Sequence, residues 1–493
     1  MSRLPPEILS YLFKFVKQSE PVWGSTSYAV SKLSPPPPTL QRLGWIKVSY
    51  VCRSWREAAL DSPLLWAHPS FCLGIRWAEE MLLRSRAVPI KVTLSNSATL
   101  TWEIQCLTEH MSRTKELVLA RSHGVPSASL TALLQSSVAP VLDKLVWDLH
   151  HDLQLESFSE GPSLSLDRTP CLRKLTIVDT VRLPFSTDWT VHTSLTHLHI
   201  RNSLVRPTAF DHEELLSVLS RLPHLESLLL VNCVPPVVTE AAKRRETPVA
   251  LPRLSHLAAS GMLNNSAFFM QHLRVPTSAL TVSFGLRFPT LSEDGSHDAL
   301  QTLLAHQADF TSPLRTAAIF WTTCPVRVWA WRGRTTDVGR FPKHDAPDNP
   351  TDLRLHFHYY DVRTVTADSI IPSLPLHDVR VLHVVCGTGW APDAWLRWQG
   401  IFAHVEHILV RAHVPGSLIE KPASKSLLKA LLCMPQDSVL STESTEICPT
   451  LLFPRLSALT LTLTSPPRPS LLRAVKKARG QAGSPFQITV LPA

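Results

Sequence analysis

The chain has 493 residues, enough for two to four domains or one long repeat array. An apolar share of 44% excludes global disorder, while 41 prolines against 16 glycines speak against phosphate-cradling loops and for short elements with stiff connections. A net charge of +9 spread over this length excludes the concentrated basic field of a typical nucleic-acid binder, and nine scattered cysteines without C-x-x-C exclude a disulfide scaffold and a zinc ribbon.

The N-terminus, Met1-Ser2-Arg3-Leu4-Pro5-Pro6-Glu7, has no apolar signal core, and no apolar run of about 18 residues occurs. The expectation is a soluble, intracellular, thiol-reduced protein, cytoplasmic and/or nuclear, that meets no membrane. The first predicted element is a helix from Pro5. Two prolines suit a first turn, where missing N–H groups cost little, and Glu7 complements the helix dipole. Ile8, Leu9, Leu12, Phe13 and Val16 then make an amphipathic stripe. Residues 17–40, with Pro35-Pro36-Pro37-Pro38, read as a polyproline-bearing exposed loop. A second helix is expected over 43–60, with Ile46, Val48, Val51, Cys52, Trp55, Ala59 and Leu60 near helical spacing, and a short third piece at Leu64-Leu65-Trp66. So much apolar surface cannot all be satisfied internally in about 60 residues, so part of it must meet another domain or another protein. The alternative is that these positions are merely the core of a small helical cap.

The phrases Leu4-Pro5-x-Glu7-Ile8-Leu9, Val51-Cys52-Arg53-x-Trp55-Arg56-x-x-Ala59 and Leu65-Trp66, in that order, resemble an F-box. With Leu43-Gly44-Trp45-Ile46 running into Val51-Cys52-Arg53, they are similar to a large set of fungal F-box-like proteins. The long insertion at 17–40 stands where a compact F-box has a short turn. The resemblance implies docking on a Skp-type adaptor that links to a cullin-RING ubiquitin ligase. It places Leu4, Pro5, Ile8 and Leu9 toward the adaptor. It divides Leu12, Val48, Val51, Cys52, Trp55, Ala59, Leu65 and Trp66 between adaptor contact and helix packing.

Further along, a degenerate L-x-x-L-x-L phrase recurs, as at Leu142, Leu172, Leu195, Leu225 (with Cys233 at the Asn/Cys position) and Leu254, then at Val379, Val405 and Leu456. The first five begin 30, 23, 30 and 29 residues apart, the long end of the leucine-rich-repeat range. Pro140, Pro170, Pro223, Pro252 and Pro454 precede phrases and read as abrupt strand starts. Helices are expected at Phe210–Leu222, Asp298–Phe310, Pro392–Val405 and Ser424–Met434. Between about 275 and 350 the period fails, and weak, atypical strands and loops are expected. The predicted fold class is α/β. It is a short helical F-box (1–70, Pro-rich insertion at 17–40), a connecting helical segment (71–110) and an irregular leucine-rich-repeat horseshoe (111–493), with parallel strands inside and helices and loops outside.

No catalytic signature stands out. His356-x-His358, His404-x-x-His407 and His150-His151 lack a suggestive third ligand, so no metal is expected. Gly387-Thr388-Gly389 lacks the rest of a phosphate loop and reads as a turn. Lys243-Arg244-Arg245 and Lys476-Lys477-Ala478-Arg479 read as solvated helix faces or ends. The expected protein is a non-enzyme without cofactor or nucleic acid: a substrate receptor of a Skp–cullin–F-box ligase, holding a target protein of unknown identity on its repeats. The alternative is a leucine-rich-repeat scaffold with no part in ubiquitination.

Overall fold

A computed structural model describes residues 4–22, 39–94, 100–119, 133–134, 137–148, 168–178, 194–202, 210–237, 248–276, 281–287, 313–321, 326–333, 353–358, 371, 374–386, 392–412, 423–432, 452–463 and 467–492. The chain divides into two compact units. One is Met1–Pro235 with Val249–Arg253; the other is Pro236–Pro248 with Leu254–Ala493.

The first unit opens with helices α1 (Pro6–Ser19) and α2 (Thr39–Arg42), a 3-10 helix (Gly44–Tyr50), α3 (Arg53–Leu60) and α4 (Pro63–Trp66). The single helix expected over 43–60 is thus two. The 3-10 ladder is a short-run geometry. It closes with Val51 N–H donating to the Val48 carbonyl at 3.3 Å. Cys52 is then extended (φ −159°, ψ 172°) before α3 begins. Of the insertion read at 17–40, residues 17–19 finish α1 and 39–40 begin α2; residues 23–38 lie outside the described residues.

The stretch expected as a helical connector, 71–110, holds α5 (Ile75–Arg84) and α6 (Leu100–His110) but also a strand, β1 (Ile90–Leu94). Buried Ile90, Val92 and Leu94 alternate with exposed Lys91 and half-buried Thr93. That is a period of two without the L-x-x-L phrase. Strands β2 (Thr114–Leu119), β3 (Lys144–Asp148), β4 (Lys174–Val178), β5 (His197–Arg201) and β6 (Ser227–Val231) follow, each pairing parallel to the one before. The two-residue strand β7 (Val249–Ala250) belongs to the same unit.

In β3–β6 the fourth and sixth residues of each phrase point to one face and are buried: Leu145 and Trp147, Leu175 and Ile177, Leu198 and Ile200, Leu228 and Leu230. The first residue of each phrase, Leu142, Leu172, Leu195 or Leu225, is buried at the strand's entry. A recurring backbone step spaces the strands. The Asp143 carbonyl accepts from the N–H groups of Arg173 and Lys174, that of Arg173 from Thr196 and His197, and that of Thr196 from Glu226 and Ser227. The prolines act earlier than expected. Leu142, Leu172 and Leu225 N–H donate back three residues to Ala139, Thr169 and Leu222. Pro140, Pro170 and Pro223 therefore occupy the second position of a β-turn, which their fixed φ favours, rather than the first residue of a strand. Between β5 and β6 in the chain, α7 (His212–Ser220) buries Leu215, Leu216, Val218 and Leu219, and the Asp211 side chain caps it by accepting from Glu214 N–H at 2.8 Å. Cys233 is buried, and its thiol donates to the Ile200 carbonyl one repeat back at 3.3 Å.

This alternation gives a test. Leu228 is buried, whereas Leu229 is half-buried on the opposite face beside His199. Leu228→Ala should cost about 2–5 kcal/mol and Leu229→Ser much less, compared by thermal unfolding. Equal losses would mean that both faces of β6 are packed.

The second unit contains β8 (His256–Met262), the two-residue β9 (Leu273–Arg274), β10 (Thr281–Arg287), β11 (Thr316–Trp321), β12 (Val326–Trp331), β13 (Leu353–His358), β14 (Val381–Cys386), β15 (His407–Ala412), β16 (Ala458–Leu463) and β17 (Gln487–Pro492). Its large sheet has the order β8-β10-β13-β12-β11-β14-β15-β16-β17 and does not close. Where weak strands were expected, β10–β12 are full strands of six or seven residues. Only the topology is atypical. β12 runs antiparallel to both β11 and β13, a meander set into an otherwise parallel sheet. The parallel order resumes through β14, β15, β16 and β17, with the same carbonyl step at Arg380 and Glu406. The helices are α8 (Leu263–Gln271), α9 (Pro392–Arg397), α10 (Ala423–Leu432) and α11 (Pro469–Gln481). The helix expected over Pro392–Val405 stops at Arg397 and continues as turns; that over Asp298–Phe310 lies outside the described residues.

In the cluster Lys476-Lys477-Ala478-Arg479 the two lysines are exposed, as expected, but the arginine is not. Arg479 of α11 is buried, and its guanidinium donates to the carbonyls of Leu452 and Phe453, each at 2.9 Å. Phe453 has φ 51°, and the arginine satisfies the carbonyls of that strained turn. Lys243-Arg244-Arg245 lies outside the described residues. Together, the helical start followed by parallel strands in an α/β region is compatible with a leucine-rich-repeat-like solenoid.

Candidate functional site

The helical start packs around one apolar cluster: Leu9, Phe13, Val22, Leu43, Trp45, Ile46, Val48, Ala58, Ala59, Leu65 and Trp66, with Met81 of α5. Trp66 is its hinge. Its indole N–H donates to the Ala59 carbonyl at 2.8 Å, its ring meets Trp45 edge-on at 4.9 Å between centroids, and Arg84 of α5 lies 4.4 Å from its ring centroid. Phe13 packs on Trp55 at 5.3 Å. The helices then join the sheet covalently and by hydrogen bonds. Lys91 N–H donates to the Ala67 carbonyl, and Ser70 forms a parallel bridge with Thr93. Arg113 ties the turn after α5, donating to Ser85 Oγ and to the carbonyls of Leu82, Arg86 and Val88.

The other face of α1 has no such partner in this cluster. Leu4 is 49% exposed, Ile8 47%, Tyr11 57%, Leu12 42% and Phe15 52%. Leu4 precedes α1, and the spacing of Ile8, Tyr11, Leu12 and Phe15 by three, one and three residues lays them along one side of the helix, opposite Leu9 and Phe13. Tyr50, Val51 and Leu64, from the 3-10 helix, its cap and α4, are also exposed. Large apolar side chains grouped in this way make a candidate contact surface. Beside them Lys17 lies half-buried, with Nζ donating to the carbonyls of Leu65 at 2.8 Å and Leu64 at 3.2 Å. Burial, helped by the charge of Lys91, lowers its pKa to about 8.

The residues expected at the adaptor contact fall into two groups. Leu4, Pro5, Ile8, Leu12, Val51 and Cys52 are exposed. Leu9, Val48, Ala59, Leu65 and Trp66 are buried, and Trp55 is half-buried against them. Tyr11, Phe15, Tyr50 and Leu64 were not in the expected set. The signal for the first two was present: Ile8, Tyr11, Leu12 and Phe15 form a helical stripe of their own. The stripe read from the sequence instead mixed Ile8 and Leu12 with the core positions Leu9 and Phe13.

Residues 1–72 match the family described as F-box-like, and they form an F-box-like domain. No curated protein matches the chain. Among the described residues no helix is long and apolar enough to cross a membrane, and no group of three His, Cys, Asp or Glu is placed to hold a metal ion. His404 and His407 lie within the described residues; His150-His151 does not, nor do Gly387-Thr388-Gly389.

Proposed function

We propose that the protein is a substrate-receptor subunit of a Skp–cullin–F-box type ubiquitin ligase. The observation that carries this is the exposed apolar side of α1, continued by Tyr50, Val51 and Leu64, on an F-box-like domain. In this reading Leu4, Pro5, Ile8, Tyr11, Leu12 and Phe15 dock on a Skp-type adaptor, while Leu9, Val48, Ala59, Leu65 and Trp66 hold the surface in shape from beneath. The protein performs no bond-making step. It fixes a target, held on the repeat region, near the ubiquitin-loaded enzyme and so raises its effective concentration there. The ties from Trp66, Lys91 and Arg113 make the F-box-like domain and the first strands move together, which such positioning requires.

The test is adaptor binding by Ile8→Glu with Phe15→Glu. Both side chains are half-exposed in the free chain, so thermal unfolding should change by little. Two charges placed in a desolvated apolar contact should lower adaptor affinity about 100-fold or more, since a single hot spot is worth about 2 kcal/mol or more. Unchanged affinity would refute the assignment. Recovery of cullin together with the adaptor separates a ligase subunit from a scaffold.

A further inference from the structure

The face of the first unit's sheet opposite the leucine core carries a charged pattern that packing does not explain. Lys144, Lys174 and His197 stand directly opposite one another on β3, β4 and β5. One step along, His199 stands between Thr176 and Leu229, and Arg201 follows between Val178 and Val231. Parallel strands lie about 4.8 Å apart, so the two lysines and the two histidines occupy a patch roughly 10 Å across. Lys174 and Arg201 are exposed; Lys144, His197 and His199 are half-buried. Like charges directly opposite in a sheet are destabilising. Among the described residues neither Lys144 nor Lys174 forms an ion pair. Glu116 of β2 stands opposite Lys144 on this face and is paired with Lys91, whereas Lys174 is flanked across the strands by Lys144 and His197 alone. The field is felt locally. His199 has its pKa lowered to about 4, first by burial and then by His197, Lys144 and Lys174.

An anion placed over β3–β5 would relieve this repulsion. Two features define it. The central cations are lysines, compact point charges that attract an anionic side chain without fixing its geometry. On β6 the same face turns apolar, with half-buried Leu229 and Val231. We infer that this face binds an acidic protein segment, with Asp or Glu side chains over Lys144, Lys174 and Arg201 and an apolar side chain against Leu229. The inference rests on the receptor reading and names the class of target that such a receptor would hold.

The full chain is titrated against a labelled peptide repeating Asp-Glu-Asp-Leu. Controls are a labelled peptide repeating Lys-Ser-Lys-Leu, a phosphoserine peptide without Asp or Glu, and a single-stranded oligonucleotide of similar charge. The acidic peptide should bind in preference to all three, and its affinity should fall as salt rises. Lys144→Gln with Lys174→Gln removes a repulsion, so the variant should melt no lower than the native chain. It should bind the acidic peptide about tenfold or more weakly. Equal binding by the variant overturns the inference, as does stronger binding of the phosphopeptide or of the oligonucleotide. Adaptor binding by the same double variant is read separately. If the native chain fails to bind adaptor, the receptor reading falls, while the peptide result still decides the chemistry of this face.

Discussion

Gly44→Ala is expected to disrupt the F-box-like domain far more than an ordinary Gly-to-Ala change. Gly44 starts the 3-10 helix at φ +53°, and a Cβ there would lie 2.4 Å from the Pro21 carbonyl oxygen and 2.7 Å from that of Glu20. Both neighbours are backbone, so no side chain can swing away. They are also fixed. Glu20 caps the end of α1, and its carbonyl accepts from Trp45 N–H at 2.8 Å. Its carboxylate pairs with Lys47 at 2.7 Å. The left-handed conformation alone costs a non-glycine residue about 1–3 kcal/mol, and displacing Pro21 adds to that by pulling Trp45 from the core. Gly74 is the control. It has φ +95° with nothing within 4 Å of an added Cβ, so Gly74→Ala carries the backbone cost without the clash. Thermal unfolding followed by tryptophan fluorescence should show a clearly larger loss at Gly44, accompanied by loss of adaptor binding. Equal losses at the two glycines would show that α1 and the 3-10 helix can shift apart at little cost.

The repeat positions were legible because each phrase states its own burial. Leucines one, four and six face inward, and the structure buries Leu172, Leu175 and Ile177 as it does Leu456, Leu459 and Leu461. The meander was not legible, for a physical reason. Ala317, Ala318 and Ile319 on β11, and Val328, Trp329 and Ala330 on β12, are all buried. Strands covered on both faces lose the alternation that reveals a strand's orientation, and no local signal tells a parallel neighbour from an antiparallel one. At the docking surface the F-box motif was legible but its facing was not. Leu9 and Ile8 are adjacent and both apolar; only the packing of α1 on Trp45 and Trp55 sends the first inward and leaves the second exposed. Arg479 is the converse case. A cluster of Lys and Arg normally signals solvent, and nothing in the sequence marks the carbonyls of Leu452 and Phe453 that one of them must satisfy.

Trp66→Ala is expected to loosen the F-box-like domain from the first repeat as well as to weaken its own core. The side chain is fully buried, so its truncation should cost about 3–5 kcal/mol through lost apolar contact and the cavity left behind. Three further effects point in different directions along the chain. The Ala59 carbonyl loses its indole donor, Trp45 loses its edge-on partner, and Arg84 loses the ring above which it sits. Arg84 keeps Glu80 at 2.6 Å and therefore need not unfold α5. The effect thus belongs to the junction, and Trp66→Phe separates the contributions. It keeps much of the volume and an aromatic face for Arg84 but cannot donate to Ala59. It should recover more than half of the lost stability, since a net hydrogen bond is worth about 1 kcal/mol against the larger packing loss. Hydrogen exchange reads where the damage falls. In Trp66→Ala, protection should fall at α3, α4 and Lys91, whose N–H bonds to Ala67, and persist at β4–β6. A uniform loss through β6 would mean that the helical start and the strands unfold as one cooperative block, with Trp66 part of a common core rather than a joint within it.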